Sequence, residues 1–246
     1  MTRKLILILG IIVIIIVFLY YGRSIYMPFA SKIKGKETVE TRIEEIEDKV
    51  WNRLENNLNL AGYKMDYPKE IILVAFKEEQ ILQVYSKDYN GIRIIKEYPF
   101  TAYSGKLGPK LKEGDRQIPE GIYKVEYLNP NSSYYLSIKV SYPNDFDKSK
   151  TELTNIAELG GDIFIHGKAV TIGCIPIGDE AIEEVFVLTQ KAITNNIKVI
   201  ISPRDFRTNP SYPEIDEINW ENELYHKIED ELKTLHDSVY KKQRVQ

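Results

Sequence analysis

"GGDIFIHGKAVTIGCIPIGDEAIEEVF", residues 160–186, holds the only cysteine of the chain, Cys174, and, eight positions before it, one of its three histidines, His166. "DIFIHG" reads as a strand. From Asp179 the pattern turns helical, with acidic residues in the first turn that suit the helix dipole. Between them lies a tight loop in which Gly167 follows the histidine and Gly173 precedes the cysteine. The spacing leaves two readings open. Cys174 is a small buried hydrophobe that happens to lie near an imidazole, or it is a nucleophile with its base.

A cysteine attacks only as the thiolate, and a free value of about 8.5 leaves a few per cent ionised at neutral pH. Two devices are expected to help: an imidazole within hydrogen-bond reach, and the positive end of the following helix near the sulfur. Gly173 lets the backbone bend and a substrate carbonyl approach, and backbone N–H groups beside Cys174 are candidates to receive an oxyanion. Thr171 offers a hydroxyl to the loop or the substrate. An isolated His-x7-Cys lacks the ligands of a zinc site, so no metal or cofactor is expected. His226 and His236 stand in a polar helical tail and read as solvated or packing residues.

Working outward, "KEIILVAFKEEQILQVYSKDYNGIRIIKEYPF" gives three strand-like runs, 70–76, 80–86 and 91–100, the last two joined at Asn90-Gly91. A Gly/Pro/Lys-rich loop leads to a strand at 121–128, and "YYLSIKVSYP" and "IKVIISP" supply two more. Val39, Ile43, Ile46, Val50, Leu54 and Leu58 mark one face of a helix, read as a brace on the domain or a short coiled-coil seam. Ile218, Leu224, Ile228, Leu232, Leu235 and Val239 do the same in the tail. The expected fold is mainly β, a sandwich or barrel of mixed strands with flanking helices. The expected divisions are 1–22, 23–66, 67–208 and 209–246: anchor, tether with helix, main domain, and helical tail.

Leu5–Tyr21 is an uninterrupted apolar run behind Arg3 and Lys4. At 1.5 Å per residue it spans roughly 25 Å, close to a hydrocarbon core. An uncleaved N-terminal transmembrane helix is expected, with a cleaved signal peptide as its rival. The basic flank places the N-terminus in the cytoplasm and the body outside. Arg3, Lys4 and Arg23 face no acid within residues 1–30, so the rest is more acidic than the net −3 of the whole chain. That balance argues against a nucleic-acid partner.

The chain resembles the L,D-transpeptidase catalytic domain, or YkuD-type, family from about Pro68 to Arg207. The likeness rests on "GPKLKEGDRQIPEGIYKV", "SYPND", "IFIHG" and "TIGCIPIGD" in that order. It implies a sandwich-like fold, Cys174 as acylated nucleophile and His166 as general base, with the imidazole oriented by a backbone carbonyl. It also implies that the partners are peptidoglycan stem peptides, attacked after meso-diaminopimelate, with the acyl group passed to an amine or to water. The short loop, Ile172 before Gly173, and Pro176 where a polar residue is common are more similar to the branch that includes enzymes detaching lipoprotein from peptidoglycan. Transfer and hydrolysis therefore both stay open, beside a catalytically silent cell-wall binder and a purely structural protein. Tyr142, Lys110 and Arg204 are candidate substrate contacts. The expected location is the cytoplasmic membrane, single-pass, with the catalytic domain on the extracytoplasmic side; oligomeric state is left open.

Overall fold

The computed structural model describes residues 3–21, 36–151 and 156–243. Most of the expected tether lies outside them, as do the side chains of His236 and Val239. The helices are α1 (Arg3–Tyr21), α2 (Val39–Leu60), α3 (Asp145–Lys150), α4 (Asp179–Ala192) and α5 (Glu221–Gln243). The strands are β1 (Ile71–Phe76), β2 (Ile81–Asp88), β3 (Gly91–Pro99), β4 (Gly121–Ser132), β5 (Tyr135–Val140), β6 (Phe164–His166), β7 (Ile175–Pro176) and β8 (Lys198–Ser202). They form one mixed sheet in the order β3-β2-β1-β8-β4-β5-β6-β7, with parallel pairs β1–β8 and β6–β7.

Alternation along β1 explains the two-sided core. Ile71, Leu73 and Ala75 join Val199 and Ile201 of β8 beneath α2 and α4. Ile72, Val74 and Phe76 join Ile200 and the α5 residues Leu224, Tyr225, Ile228 and Leu232 on the opposite face. A strand covered on both faces has no polar side, hence the unbroken "IILVAF". The tail helix is therefore a cover for the sheet. The apolar face of α2 is likewise buried within the chain. Thr38 starts that helix through a reciprocal capping box with Thr41.

Two strands depart from the sequence reading. β4 runs past residue 128 to Ser132, because its register shifts between Asn129 and Ser132 and so admits Pro130. It also changes partner, pairing β8 through residues 121–124 and β5 from Val125 onward. The loop after His166 contains β7, whose two residues are too few to show a periodicity. "SYPND" ends on the cap and first residue of the short helix α3, with Asn144 as the cap. The N-terminal run is helical, and its described side chains at 8–15, 17 and 18 are exposed. Among the described residues no helix is long and apolar enough to cross a membrane.

One ion pair joins these layers. Lys77, just past β1, and Glu120, just before β4, have fully buried side chains and meet at 2.9 Å. Lys77 Nζ also donates to the carbonyls of Gly108 (2.7 Å) and Ile118 (2.9 Å). Glu120 accepts from Gly108 N (2.7 Å) and from the Tyr225 hydroxyl of α5 (2.8 Å). Burial pulls the Lys77 ammonium down while Glu120 opposes it. Removing one partner strands the other in a dry interior. Lys77→Met is expected to cost roughly 3–5 kcal/mol, read as a lower urea midpoint. Adding Glu120→Gln should recover part of the loss.

Candidate active site

The loop between β3 and β4 folds on Asp115. Its carboxylate accepts from Leu111 N (2.9 Å), Lys112 N (3.1 Å) and Gln117 N (3.0 Å), and pairs with Lys110 Nζ at 2.6 Å. Burial pushes that carboxyl up, but Lys110 and the three N–H groups outweigh it and hold it below the usual range. The folded loop delivers the Gln117 carbonyl to the nucleophile turn. At Gly173, where φ is +126°, a Cβ would lie 3.0 Å from that oxygen. Only glycine suits both the backbone and the close approach.

The pairing of β6 with β7 sets the chain stretches that carry the two candidate residues side by side. Ile165 is opposite Ile175 and His166 opposite Pro176, so the residue before Ile175, Cys174, enters beside the strand that ends in the imidazole. His166 is buried, and its Nδ1 contacts the Gly167 carbonyl at 2.5 Å. That contact assigns the proton to Nδ1 and leaves Nε2 as the accepting nitrogen. The orienting carbonyl belongs to the histidine's own neighbour. Gly167 has no room for a side chain, since a Cβ there would meet Asp179 Oδ1 at 2.6 Å and Tyr134 O at 2.8 Å. Tyr134, not singled out from the sequence, stacks on the imidazole with ring centroids 4.6 Å apart. Burial pulls the imidazole below its ordinary value, and the Gly167 carbonyl acts in the opposite sense.

Thr171 ties the nucleophile turn. Its Oγ1 accepts from Gly173 N (3.2 Å) and Cys174 N (2.9 Å) and donates to Cys174 O (2.7 Å). The two N–H groups expected to await an oxyanion are therefore engaged by this hydroxyl in the resting chain. The first turn of α4 lies against the residues after the histidine, where Asp179 accepts from Lys168 N (2.9 Å) and Nζ (2.6 Å). The half-buried thiol donates to the Asp162 carbonyl at 3.5 Å. Burial pushes it above the ordinary cysteine value, with the Phe164 N–H and Lys139 acting against that. At neutral pH the pair is thus a thiol and a neutral imidazole.

The remaining candidates have evident structural partners. Lys110 is buried on Asp115 and on the Lys112 carbonyl. The Tyr142 hydroxyl is buried and donates to the carbonyls of Lys110 (3.2 Å) and Leu159 (3.4 Å). Arg204 closes the end of β8, bound to Glu78 (3.0 Å) and Ser211 Oγ (2.9 Å). His226 is exposed and meets the Tyr212 hydroxyl at 2.9 Å. By contrast Ile172, beside the nucleophile, is 75% exposed. A groove of about 630 Å³ runs along the Asp115 loop, with Gln117, Leu107 and Pro109 on one side and Ile215 and Trp220 on the other. Among the described residues no group of three or more His, Cys, Asp or Glu is arranged to hold a metal ion.

Two outcomes are expected. Gly173→Ala should slow alkylation of Cys174 by iodoacetamide at least about tenfold. Thr171→Val, which orphans two N–H groups, should destabilise the chain by about 1–3 kcal/mol, while Thr171→Ser stays near wild type in a denaturant titration. The iodoacetamide rate should rise through a midpoint above about 8.5, the ordinary cysteine value. Any reaction that uses His166 as base should lose rate only below about pH 6.5, because the lowered imidazole stays neutral further into acid.

The strands that carry His166 and Cys174, with the Asp115 loop beside them, fall inside a match to the L,D-transpeptidase catalytic domain model, residues 69–201. A candidate L,D-transpeptidase of Escherichia coli K12, YafK, is 34% identical over 125 residues, 50% of this chain and 48% of the relative. The chain thus spans about half the length of the curated relatives it matches. Two solved structures are similar at low identity. Bd1075 of Bdellovibrio bacteriovorus shares 24% identity at a TM-score of 0.41, over 56% of this chain and 49% of that one. Pgp2 of Campylobacter jejuni, described as a helical cell shape determining protein, shares 21% at 0.44, over 74% and 77%. With the family match covering more than half of the sequence, including both reactive residues, the chain belongs to the L,D-transpeptidase catalytic domain (YkuD) family.

Proposed function

We propose that the chain is a membrane-anchored cysteine acyltransferase that acts on peptidoglycan stem peptides through a thioester on Cys174. The observation that carries the proposal is a thiol on a glycine turn, braced by Thr171, beside a strand ending in an imidazole whose free nitrogen is the basic one. The thiol proton passes to His166 Nε2 as sulfur attacks the carbonyl carbon of the diaminopimelate residue in its peptide bond to the next residue. The tetrahedral adduct collapses, the carbon–nitrogen bond breaks, and the departing amine takes the proton from the imidazolium. The thioester then yields to an amine, giving a cross-link, or to water, giving release. Both neutral partners suit this order, because proton transfer and attack occur together and no preformed ion pair is needed.

The thiol's present bond to Asp162 must be exchanged for one to the imidazole, a short swing that substrate binding would drive. The apolar helix at residues 3–21, with its exposed isoleucines, supports attachment to the cytoplasmic membrane with the catalytic domain outside. Incubating the full chain in detergent with purified sacculi, followed by mass spectrometry of the muropeptides, tests the reading. New cross-links are expected for transfer and trimmed stems for hydrolysis. Cys174→Ala and His166→Ala should abolish either product without loss of fold. An unchanged product profile in Cys174→Ala would reject the thioester.

A further inference from the structure

Lys139 was not singled out from the sequence, yet its side chain binds the backbone stretch that also receives the nucleophile's thiol. It stands on β5 opposite Phe164 of β6, and its buried ammonium lies 4.9 Å from the centre of the Phe164 ring. The ammonium donates to the Gly161 carbonyl and pairs with Asp162 Oδ1 at 3.2 Å. Asp162 is also the residue whose carbonyl oxygen receives the Cys174 thiol. The cation and the sulfur therefore converge on one stretch of backbone, residues 161–164. One Lys139 donor meets the neutral Gly161 oxygen, and its carboxylate partner is 95% exposed. A charge paired mainly with solvent-screened carboxylate keeps much of its field toward the protein interior.

We infer that Lys139 is a positioning residue for the acyl chemistry, holding the Asp162 segment against Cys174 and supplying the positive charge that favours the thiolate as it forms. This rests on Cys174 as the nucleophile and adds to that reading the source of its electrostatic support. The other groups facing the sulfur are Lys110 from the Asp115 loop, which acts in the same direction, and the Asp162 carboxylate, which acts against it. His166 ends the neighbouring strand β6. Lys110 is closely neutralised by Asp115 at 2.6 Å, with that carboxylate largely withdrawn from solvent. Lys139, whose counter-charge lies in water, is left as the dominant cation at the sulfur.

The two charges on either side of residue 162 give the test opposite signs. The pH dependence of iodoacetamide alkylation of Cys174 is measured on the full chain in detergent, for wild type, Lys139→Met, Lys139→Arg and Asp162→Asn. Lys139→Met should raise the alkylation midpoint by about one pH unit, a roughly tenfold slower reaction at pH 7. Lys139→Arg should stay near wild type, and Asp162→Asn should lower the midpoint. A residue that only props up the backbone predicts reduced amplitude or stability with an unmoved midpoint, and the same direction of harm from Met and Asn. Either pattern overturns the inference, as does a folded Lys139→Met with a wild-type midpoint. Should Lys139→Met not fold, the sign of the Asp162→Asn shift still decides. Alkylation needs no turnover, so a failure here leaves the muropeptide assay of Cys174→Ala free to stand or fall alone.

Discussion

The buried pair Lys77–Glu120 is the contact on which the geometry of the catalytic face depends. An ammonium and a carboxylate withdrawn from water must each find every partner inside the protein, and the partners they find lie on different layers. Through Gly108 and Ile118 the pair fixes both ends of the Asp115 loop. Through Tyr225 it fixes the tail helix to the far side of the sheet. The held loop sets the Gln117 carbonyl against Gly173, and so determines how tightly the chain can turn before Cys174. Such a pair adds little net stability over a hydrocarbon core, but it tolerates few alternative arrangements.

The site that results is not an ion pair at rest. Burial raises the thiol and lowers the imidazole, so both groups are neutral in the same pH range. Desolvation makes either charged form costly and keeps the sulfur quiet in the absence of substrate. Thr171 occupies the two N–H groups of the turn, and Asp162 occupies the thiol. On the proposed thioester reading, the thiol would leave Asp162 for Nε2, and the Thr171 hydroxyl would yield its N–H partners or donate in their place. The stacked Tyr134 and the Gly167 carbonyl keep the imidazole in one orientation throughout.

A groove runs along the Asp115 loop, whose Gln117 carbonyl abuts Gly173. Ile172 beside Cys174 is exposed, and the groove is walled partly by residues 215–220, which lie beyond the family match. The tail thus serves twice: it covers the sheet through its apolar face, and its approach segment borders the catalytic side.

What the residues fixed unaided were the patterns with a local cause. The alternation of β2 and β3, the Asn90-Gly91 turn, the amphipathic faces of α2 and α5, and the paired Cys174 and His166 with their glycines were all legible along the chain. Each follows from periodicity or from the backbone freedom of a single residue type. Tertiary structure decided what depends on distant neighbours. The two-residue β7 exists because β6 offers it an edge, and Lys77 and Glu120 look like ordinary surface charges until the fold buries them together. Lys139 reaches the Asp162 segment only across a strand pairing. The direction of the thiol shift could not be read from sequence, because desolvation and the field at one atom are summed over every element that surrounds it.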